Sequence, residues 1–334
     1  MILLDRLRPP SPFDLEAAAY KDWLHLNFFD HTTGSVGLIN VSLHGAPDDP
    51  RSRAVGTALV HVPGVGWLGN VESSGVSEAS VGDTGIAMHH VALAIHYASG
   101  TVLASADFPD DGLRLRLSSS AETAAIDFEQ RFPLTSGWVS WYLVPCLSVA
   151  GRAEVAGRVI DLTTARAYHD HNWGRWYWGD DVGWEWSCFV GPGPEVFACV
   201  LVRTTDSGHR QLGACTLMVY AGGLRRVFRG AAVQVEFVRR VQQLDRRIPG
   251  SMAALHQDRV ALRLPYRMLV RAYDGIDNVE LEFETTSSAQ LVAADPMARG
   301  YAFVNEIVGS FTGRARLGVE DRTVSGLGVL EYVI

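Results

Sequence analysis

Short runs in which apolar and polar residues alternate recur along the chain, and they constrain its fold more than any other feature. The runs VALAIH, LRLRL, VQVEF and VELEFE place apolar residues at every second position. Because successive side chains of a β-strand point to opposite faces, this period predicts strands with one buried face and one polar face. Turn signals such as Gly222-Gly223 and Asp274-Gly275 lie between the runs. We therefore predict an all-β fold of antiparallel barrel or sandwich domains.

Helical periodicity is scarce, and the length of the chain favours two domains. Only residues 14–23 and 121–126 carry short patterns that fit a helix or a helical turn. At 334 residues the chain exceeds what one small barrel needs. An aromatic region gives way to a Gly- and Ala-rich hairpin near residue 155. We predict an N-terminal β-domain over residues 1–155 and a C-terminal β-domain over residues 156–334.

Composition and charge exclude several classes of partner. The formal net charge is −8 and no basic run occurs, which argues against binding of nucleic acid. No apolar stretch approaches the ~18 residues that a membrane span needs, and acids and prolines near the N-terminus are unlike a signal peptide. The four cysteines form no C-x-x-C pair, so we expect them to be reduced. The expected protein is cytoplasmic, with no integral membrane segment and no nucleic-acid partner.

One segment concentrates the residues that could carry chemistry. AYHDHNWGRWYWGDDVGWEWSCF, from Ala167 to Phe189, contains five of the nine tryptophans of the chain. If its first part is a strand, alternate residues share a face. One face then carries His169, His171 and Trp173, and the other carries Tyr168, Asp170 and Asn172.

Three interpretations of this segment are open from the residues alone. The pair His169 and His171 could chelate a metal, but no other histidine has a matching motif to supply a third ligand, so we predict no metal. Alternatively, Asp170 buried among aromatic rings could stay protonated and donate its proton to an alkene or enol, while tryptophan faces stabilise the developing cation. In the third interpretation the polar groups form a buried hydrogen-bond cluster that holds the two domains together.

The motif resembles a known family. The string YHDHNWG, the preceding WYLVPCLSVAGRAEVAGRVIDLTTARA and the closing VSGLGVLEYV are similar to the carotenoid 1,2-hydratase (hydroxyneurosporene synthase) family and its lipocalin-like relatives. The resemblance implies two lipocalin-like β-domains, an apolar pocket and no cofactor. The group includes hydratases of isoprenoid chains and cyclases, among them Diels–Alderases. In the hydratases, Asp170 would correspond to the proposed proton donor and Trp173 to a nearby aromatic residue.

These arguments give a set of candidate site residues. The candidate catalytic residues are Asp170, His169, His171 and Tyr168. The candidate substrate-binding residues are Asn172, Trp173, Trp176, Trp178, Trp184, Glu185, Trp186 and Glu331. We expect Asp170, rather than the histidines, to face the pocket.

Three functions compete for this site, all with a hydrophobic small molecule as partner. The first is a cofactor-independent lyase or cyclase that hydrates or cyclises C=C bonds of a polyene or isoprenoid by acid catalysis. The second is a pericyclase of a polyketide or terpenoid pathway, in which holding the reacting ends together does most of the work. The third is a lipocalin-type carrier without catalysis.

Overall fold

The computed structural model describes residues 5–10, 16–96, 98–193, 196–241, 244–248, 263–294 and 300–334. It is almost entirely β, with 71% strand and 4% helix, and it forms two curled antiparallel half-barrel sheets. The prediction of an all-β antiparallel fold with little helix is confirmed. Helical residues in the described ranges are confined to single 3₁₀ turns at Ala17–Ala19, Val76–Glu78, Pro109–Asp111 and Gly230–Ala232.

None of the helices in the described residues has the length and apolar character needed to cross a membrane.

In the described residues the first sheet has 13 strands, with β4-β3-β2-β1-β13-β11-β9-β8-β7-β6-β5 in lateral order and with β10 and β12 paired to β11. Its strands are β1 Tyr20–Asp30, β2 Ser35–His44, β3 Arg53–Val62, β4 Gly66–Gly75, β5 Ser80–Gly82, β6 Gly85–Ala87, β7 Val91–His96, β8 Thr101–Phe108, β9 Leu113–Ala121, β10 Ile126–Leu134, β11 Gly137–Val155, β12 Arg158–Asp161 and β13 Arg166–Arg175.

The second sheet, within the ranges that the structure describes, has 10 strands, in the order β17-β16-β15-β14-β23-β22-β21-β20-β18, with β19 paired to β21. That last pairing is parallel and only two residues long. The strands are β14 Gly183–Val190, β15 Phe197–Thr205, β16 Leu212–Ala221, β17 Leu224–Arg229, β18 Val233–Val241, β19 Arg246–Arg247, β20 Leu264–Tyr273, β21 Asn278–Ala294, β22 Tyr301–Leu317 and β23 Glu320–Val333.

The chain divides into two compact units. One unit comprises Met1–Asp180 with Ala294–Tyr301, and the other comprises Asp181–Ala293 with Ala302–Ile334. Strand β13 pairs with β1 and β11 of the first sheet. The Gly- and Ala-rich hairpin near residue 155 is a tight turn inside that sheet, in which Ala156 and Gly157 have φ of 49° and 75°.

The periodic apolar positions of the alternating runs are buried or, in VQVEF, partly buried. In the first sheet, the leucines of LRLRL and Val91, Leu93 and Ile95 of VALAIH belong to one core. In the second sheet, Val279, Leu281 and Phe283 of VELEFE belong to another. Burial of these side chains removes apolar surface from water, which is the main stabilising contribution to each sheet.

Neither of the two short helical patterns forms more than a single helical turn in the described residues. Of residues 14–23, Asp14 and Leu15 lie outside the described residues, Ala17–Ala19 form a 3₁₀ turn, and β1 already begins at Tyr20. Residues 121–126 connect β9 to β10 without a helix. Tertiary pairing decides the conformation here, because β1 gains partners on both sides, in β2 and in β13.

Candidate functional site

The motif lies on β13, a central strand of the first sheet, and its side chains alternate as predicted. In the register with β1, Leu24 pairs with His171 and Leu26 with His169, whereas His25 pairs with Asp170. Leu24 and Leu26 belong to the core of this sheet, so the two histidines share the core face. Asp170 therefore lies on the opposite face, together with Tyr168 and Asn172.

On the core face the two histidines bind two aspartates. His171 contacts Asp5 through Nδ1 (2.5 Å to Oδ1) and Asp22 through Nε2 (2.7 Å to Oδ1). His169 contacts the same Asp5 through Nε2 (3.1 Å to Oδ2), and its Nδ1 lies 2.8 Å from the carbonyl oxygen of His25. The side chains of the four residues Asp5, Asp22, His169 and His171, here called the His–Asp cluster, are completely buried.

The electrostatic interactions within the His–Asp cluster favour the charged forms of His171 and Asp5. Burial by itself would lower the pKa of His171, but Asp5 and Asp22 raise it to about 10. Burial would likewise raise the pKa of Asp5, but His171 and His169 lower it to about 2. At neutral pH His171 is therefore an imidazolium that donates from both ring nitrogens to carboxylates. Such a group is a structural ion pair and a poor proton donor to a substrate.

The sequence pattern placed Trp173 on the same face of the strand as the two histidines. Trp173 does lie with them on the core face. Its ring centroid is 4.9 Å from that of His171, and the Arg8 guanidinium lies 3.8 Å from its centroid. The backbone N–H of Arg8 also donates to Asp22 Oδ2 at 2.5 Å. Trp173 therefore packs beside the His–Asp cluster, on the face opposite Asp170.

No set of three or more His, Cys, Asp or Glu side chains in the described ranges is arranged to hold a metal ion. His169 and His171 already direct both ring nitrogens to aspartates or to a backbone carbonyl. The absence of a bound metal stays a prediction.

Asp170 is buried on the opposite face, with 3% of its surface exposed. The hydroxyl of Tyr168 donates to its Oδ2 at 2.7 Å, and Asn172 Nδ2 donates to its Oδ1 at 2.6 Å. Strand alternation brings these groups together, because residues at positions i and i+2 share a face. Of the four candidate catalytic residues, the structure thus joins Asp170 with Tyr168 and separates this pair from His169 and His171.

Neighbouring residues of β1 extend this face, here called the Asp170 face. His25 stands opposite Asp170, and Asn27 stands opposite Tyr168. Burial lowers the pKa of His25 to about 4, although its hydrogen bond to Asn27 acts in the opposite direction. His25 is therefore neutral at pH 7.

An aromatic cluster lies at one end of the Asp170 face. Trp23, which pairs with Asn172, makes an edge-to-face contact with Trp176 at 5.1 Å between ring centroids, and Trp176 makes another with Trp178 at 5.9 Å. The Lys21 ammonium lies 4.8 Å from the Trp176 ring centroid and 5.6 Å from that of Trp178. The ammonium also donates to the carbonyl oxygen of Trp176. The rings of Trp176 and Trp178 are thus engaged by a cation of the protein itself.

The other candidate residues belong to the second unit. Trp186 pairs with Glu331 across β14 and β23, and Trp184 Nε1 donates to Glu331 Oε1 at 2.5 Å. Glu185 points to the other face of β14, where Arg203 donates to its Oε2 and His209 Nδ1 lies 2.8 Å from its Oε1. These ionic contacts favour a structural role for Glu185.

Glu331 has a carboxyl neighbour that the sequence did not indicate. Glu306 pairs with it across β22 and β23, and the two carboxyls share a hydrogen bond. Burial raises the pKa of Glu306 well above its ordinary value, and the neighbouring Glu331 raises it further. Burial also raises the pKa of Glu331. Two carboxyls this close hold a proton at neutral pH, because both cannot ionise together without strong repulsion.

Replacing Glu306 with glutamine is expected to stabilise the protein at alkaline pH. A raised pKa in the folded state means that the protonated pair stabilises the fold at low pH, and that this contribution is lost as pH rises above the ordinary value of 4.5. The glutamine amide supplies a permanent N–H donor to Glu331. We expect the variant to gain about 1–2 kcal/mol relative to the parent at pH 8 and less at pH 5.

Urea unfolding at both pH values measures this difference. The partly exposed Glu282, which Arg267 binds on the same sheet, is the control for a Glu→Gln change. An equal effect of Glu306→Gln at pH 5 and pH 8 would contradict the shared proton.

Sequence reasoning missed Asp5, Asp22, Lys21 and Glu306. Asp5 is separated by 166 residues from His171, so no local spacing connects them. Lys21 and Asp22 fall in the segment assigned to a helix, where strand alternation was not applied. For Glu306 the closing strand gave a usable signal, because a buried Glu331 requires a partner on an adjacent strand.

Comparisons with known proteins bear on the fold. A scan against protein-family models finds no match, and a search of curated proteins finds none either. Among solved structures, a Nitrosomonas europaea protein assigned provisionally to the AttH proteins has 13% identity and a TM-score of 0.68, over 98% of this chain and 99% of that one.

Two further solved structures share the fold. Kievitone hydratase from Nectria haematococca has 14% identity and a TM-score of 0.65, over 93% of this chain and 88% of its own. CghA with Sch210972 has 12% identity and a TM-score of 0.56, over 94% of this chain and 88% of its own. At such identities the likeness shows the fold, and it agrees with the lipocalin-like resemblance of the motif.

Proposed function

We propose that the chain is a cofactor-independent lyase or cyclase that acts on C=C bonds of a hydrophobic small molecule such as a polyene or isoprenoid. The observation that carries the proposal is the buried carboxyl of Asp170, bound by Tyr168 and Asn172 next to an aromatic cluster. That a hydratase is among the solved structures with this fold supports the class of reaction.

The surroundings of Asp170 suit reversible proton transfer. Burial disfavours an ionised carboxylate, whereas donors at both oxygens favour it, and the proposal requires that the protonated form meets the substrate. Asn172 fixes Oδ1, while the Tyr168 hydroxyl, which both donates and accepts, can bind Oδ2 in either protonation state. Asp170 is thus the proposed catalytic acid, and Tyr168 and Asn172 are positioning residues.

The proposed step conserves atoms and charge. Protonated Asp170 transfers its proton to one carbon of a C=C bond, whose π electrons form the new C–H bond and leave a carbocation at the other carbon. In hydration, the oxygen of water adds to that carbon, and the proton it loses returns to the Asp170 carboxylate. In cyclisation, a second C=C bond supplies the electrons, and a C–H proton returns instead. A carbocation over Trp176 or Trp178 would meet the Lys21 ammonium, so Trp23 is the ring suited to stabilise the cation.

Binding and turnover in D₂O test the proposal and separate it from a pericyclase or a carrier. Farnesol and an acyclic carotene serve as probes, and mass spectrometry measures deuterium in any product. Protonation from Asp170 places deuterium on carbon, because a buried carboxyl exchanges its proton with solvent between turnovers. A product without carbon-bound deuterium would favour a pericyclic reaction, and saturable binding without product would favour a carrier.

A further inference from the structure

Two buried polar atoms on the Asp170 face have no hydrogen-bond partner within the part of the chain that the structure describes. They are Nδ2 of Asn27, a donor, and Oδ1 of Asn172, an acceptor. The two residues have 0% and 2% of their surface exposed. Buried polar groups are normally paired, because leaving one unpaired costs most of its desolvation free energy. An unpaired donor and an unpaired acceptor on one face of a proposed site therefore indicate a polar ligand.

The orientation of the Asn27 amide is consistent with a chain of hydrogen bonds through His25 and Asn40. His25 Nε2 lies 2.8 Å from Asn27 Oδ1, and Asn40 Nδ2 lies 3.4 Å from His25 Nδ1. Since His25 is neutral, it carries one N–H, which belongs on Nε2 where an acceptor faces it. Asn40 then donates to Nδ1, and Asn27 presents its amide N–H₂ to a ligand.

The orientation of Asn172 is fixed in the same way. Its Nδ2 donates to the Asp170 carboxyl at 2.6 Å, so its Oδ1 must be the unpaired end of the amide. This acceptor belongs to the amide that binds the proposed catalytic acid. A hydroxyl donor of a ligand would satisfy it.

One oxygen atom cannot satisfy both sites. Asn27 pairs with Tyr168, whereas Asn172 pairs with Trp23, four residues earlier on β1. At ~3.3 Å per residue, the two asparagines are separated by about 13 Å along the strands. A ligand that binds both must therefore be elongated and carry two polar groups.

We infer, as an extension of the proposed function, that the substrate is an elongated hydrophobic molecule bearing oxygen at two positions, and not a hydrocarbon. Asn27 donates to a carbonyl or other oxygen acceptor of the substrate, and Asn172 accepts from a hydroxyl at the opposite end. Trp23 and Asn40, which are partly exposed, mark where this face meets solvent.

Binding of matched probes tests the inference without requiring turnover. Farnesal, farnesol and farnesene share an isoprenoid skeleton and differ in carrying an aldehyde, a hydroxyl or no oxygen, and quenching of tryptophan fluorescence reports their binding. Farnesal can only accept a hydrogen bond, so Asn27 alone can recognise it. We expect the wild-type protein to bind farnesal about 10-fold or more tighter than farnesene.

Variants assign the preference to its atoms. Asn27→Leu should remove the preference for farnesal, whereas Asn27→Ser should retain part of this preference through its hydroxyl. Asn172→Leu should leave the preference unchanged but weaken the binding of farnesol. Circular dichroism shows whether each variant is folded. If Asn27→Leu does not fold, Asn27→Ser provides the test. Equal affinities for the three probes would overturn the inference, because they would mean that the asparagines bind only water. The absence of saturable binding of any probe would overturn it as well. A retained preference in a protein without turnover would contradict the proposed function but not this inference.

Discussion

Replacing Asp170 with asparagine is expected to slow turnover about 10²–10⁴-fold while leaving the fold intact. An amide cannot supply the proton that the C=C bond must receive. The change is nearly isosteric: the asparagine oxygen can accept from Asn172, and its N–H₂ can donate to the Tyr168 hydroxyl. Initial rates and the unfolding midpoint, measured on the same preparation, separate chemistry from stability.

Two further variants make the result specific to Asp170. Tyr168→Phe removes the hydroxyl from Oδ2 and should shift the pH profile of turnover without abolishing it, because Tyr168 positions the acid. The exposed Asp161→Asn is a neutral control for the chemical change. If Asp170→Asn unfolds several degrees earlier while the protein that remains folded keeps its activity, Asp170 is a structural residue and the proposed mechanism fails.

Replacing Asp5 with asparagine is expected to lower the free energy of unfolding by about 3–5 kcal/mol. The substitution leaves the buried imidazolium of His171 with a single carboxylate, that of Asp22. Removing one member of a buried ionic group is costly because the remaining charge cannot recover its hydration. Denaturant unfolding measures the loss, and Arg6→Ala, a change at the exposed neighbouring residue, should have little effect.

The pH dependence of stability identifies the cause of that loss. The pKa of His171 rises from 6.5 to about 10 on folding, so its contribution is fully present below pH 6.5 and is lost as pH rises through 10. The pKa of Asp5 falls from 3.8 to about 2, so its contribution is present above pH 3.8 and is lost as pH falls through 2. Asp5→Asn should therefore weaken the alkaline loss of stability that is expected of the parent protein. An unchanged alkaline slope would contradict the assigned charge of His171.

The sequence pattern was sufficient for the class of fold and for the two faces of β13. Period two is a local property, and strand pairing reproduces it, so the separation of Asp170 from His169 and His171 could be predicted. Partners from distant strands could not be predicted, because register and pairing depend on tertiary contacts. Asp5 shows the limit: no local pattern distinguishes it from an exposed aspartate, yet it binds both histidines.

The tryptophan-rich segment shows a second limit. Five tryptophans are close in sequence, but a fold separates such neighbours whenever a strand alternates or the chain passes to another sheet. Trp173 joins the core face of the first sheet, Trp176 joins the Asp170 face, and Trp184 belongs to the second sheet. The density of tryptophan along the chain therefore singled out a candidate region without specifying which side chains meet.

The contact between Asp5 and His171 constrains the order in which the first sheet can fold while the chain is being synthesised. The two residues are 166 positions apart, so Asp5 is made long before its partner exists. At ~5–20 residues per second, the N-terminal segment waits on the order of 10–30 s before β13 can receive it. During that interval Asp22 is present but the imidazolium that neutralises it is not, so β1 cannot bury its acidic side chain at low cost. The strands of the first sheet can therefore enclose the His–Asp cluster only late, after most of the other strands have left the ribosome.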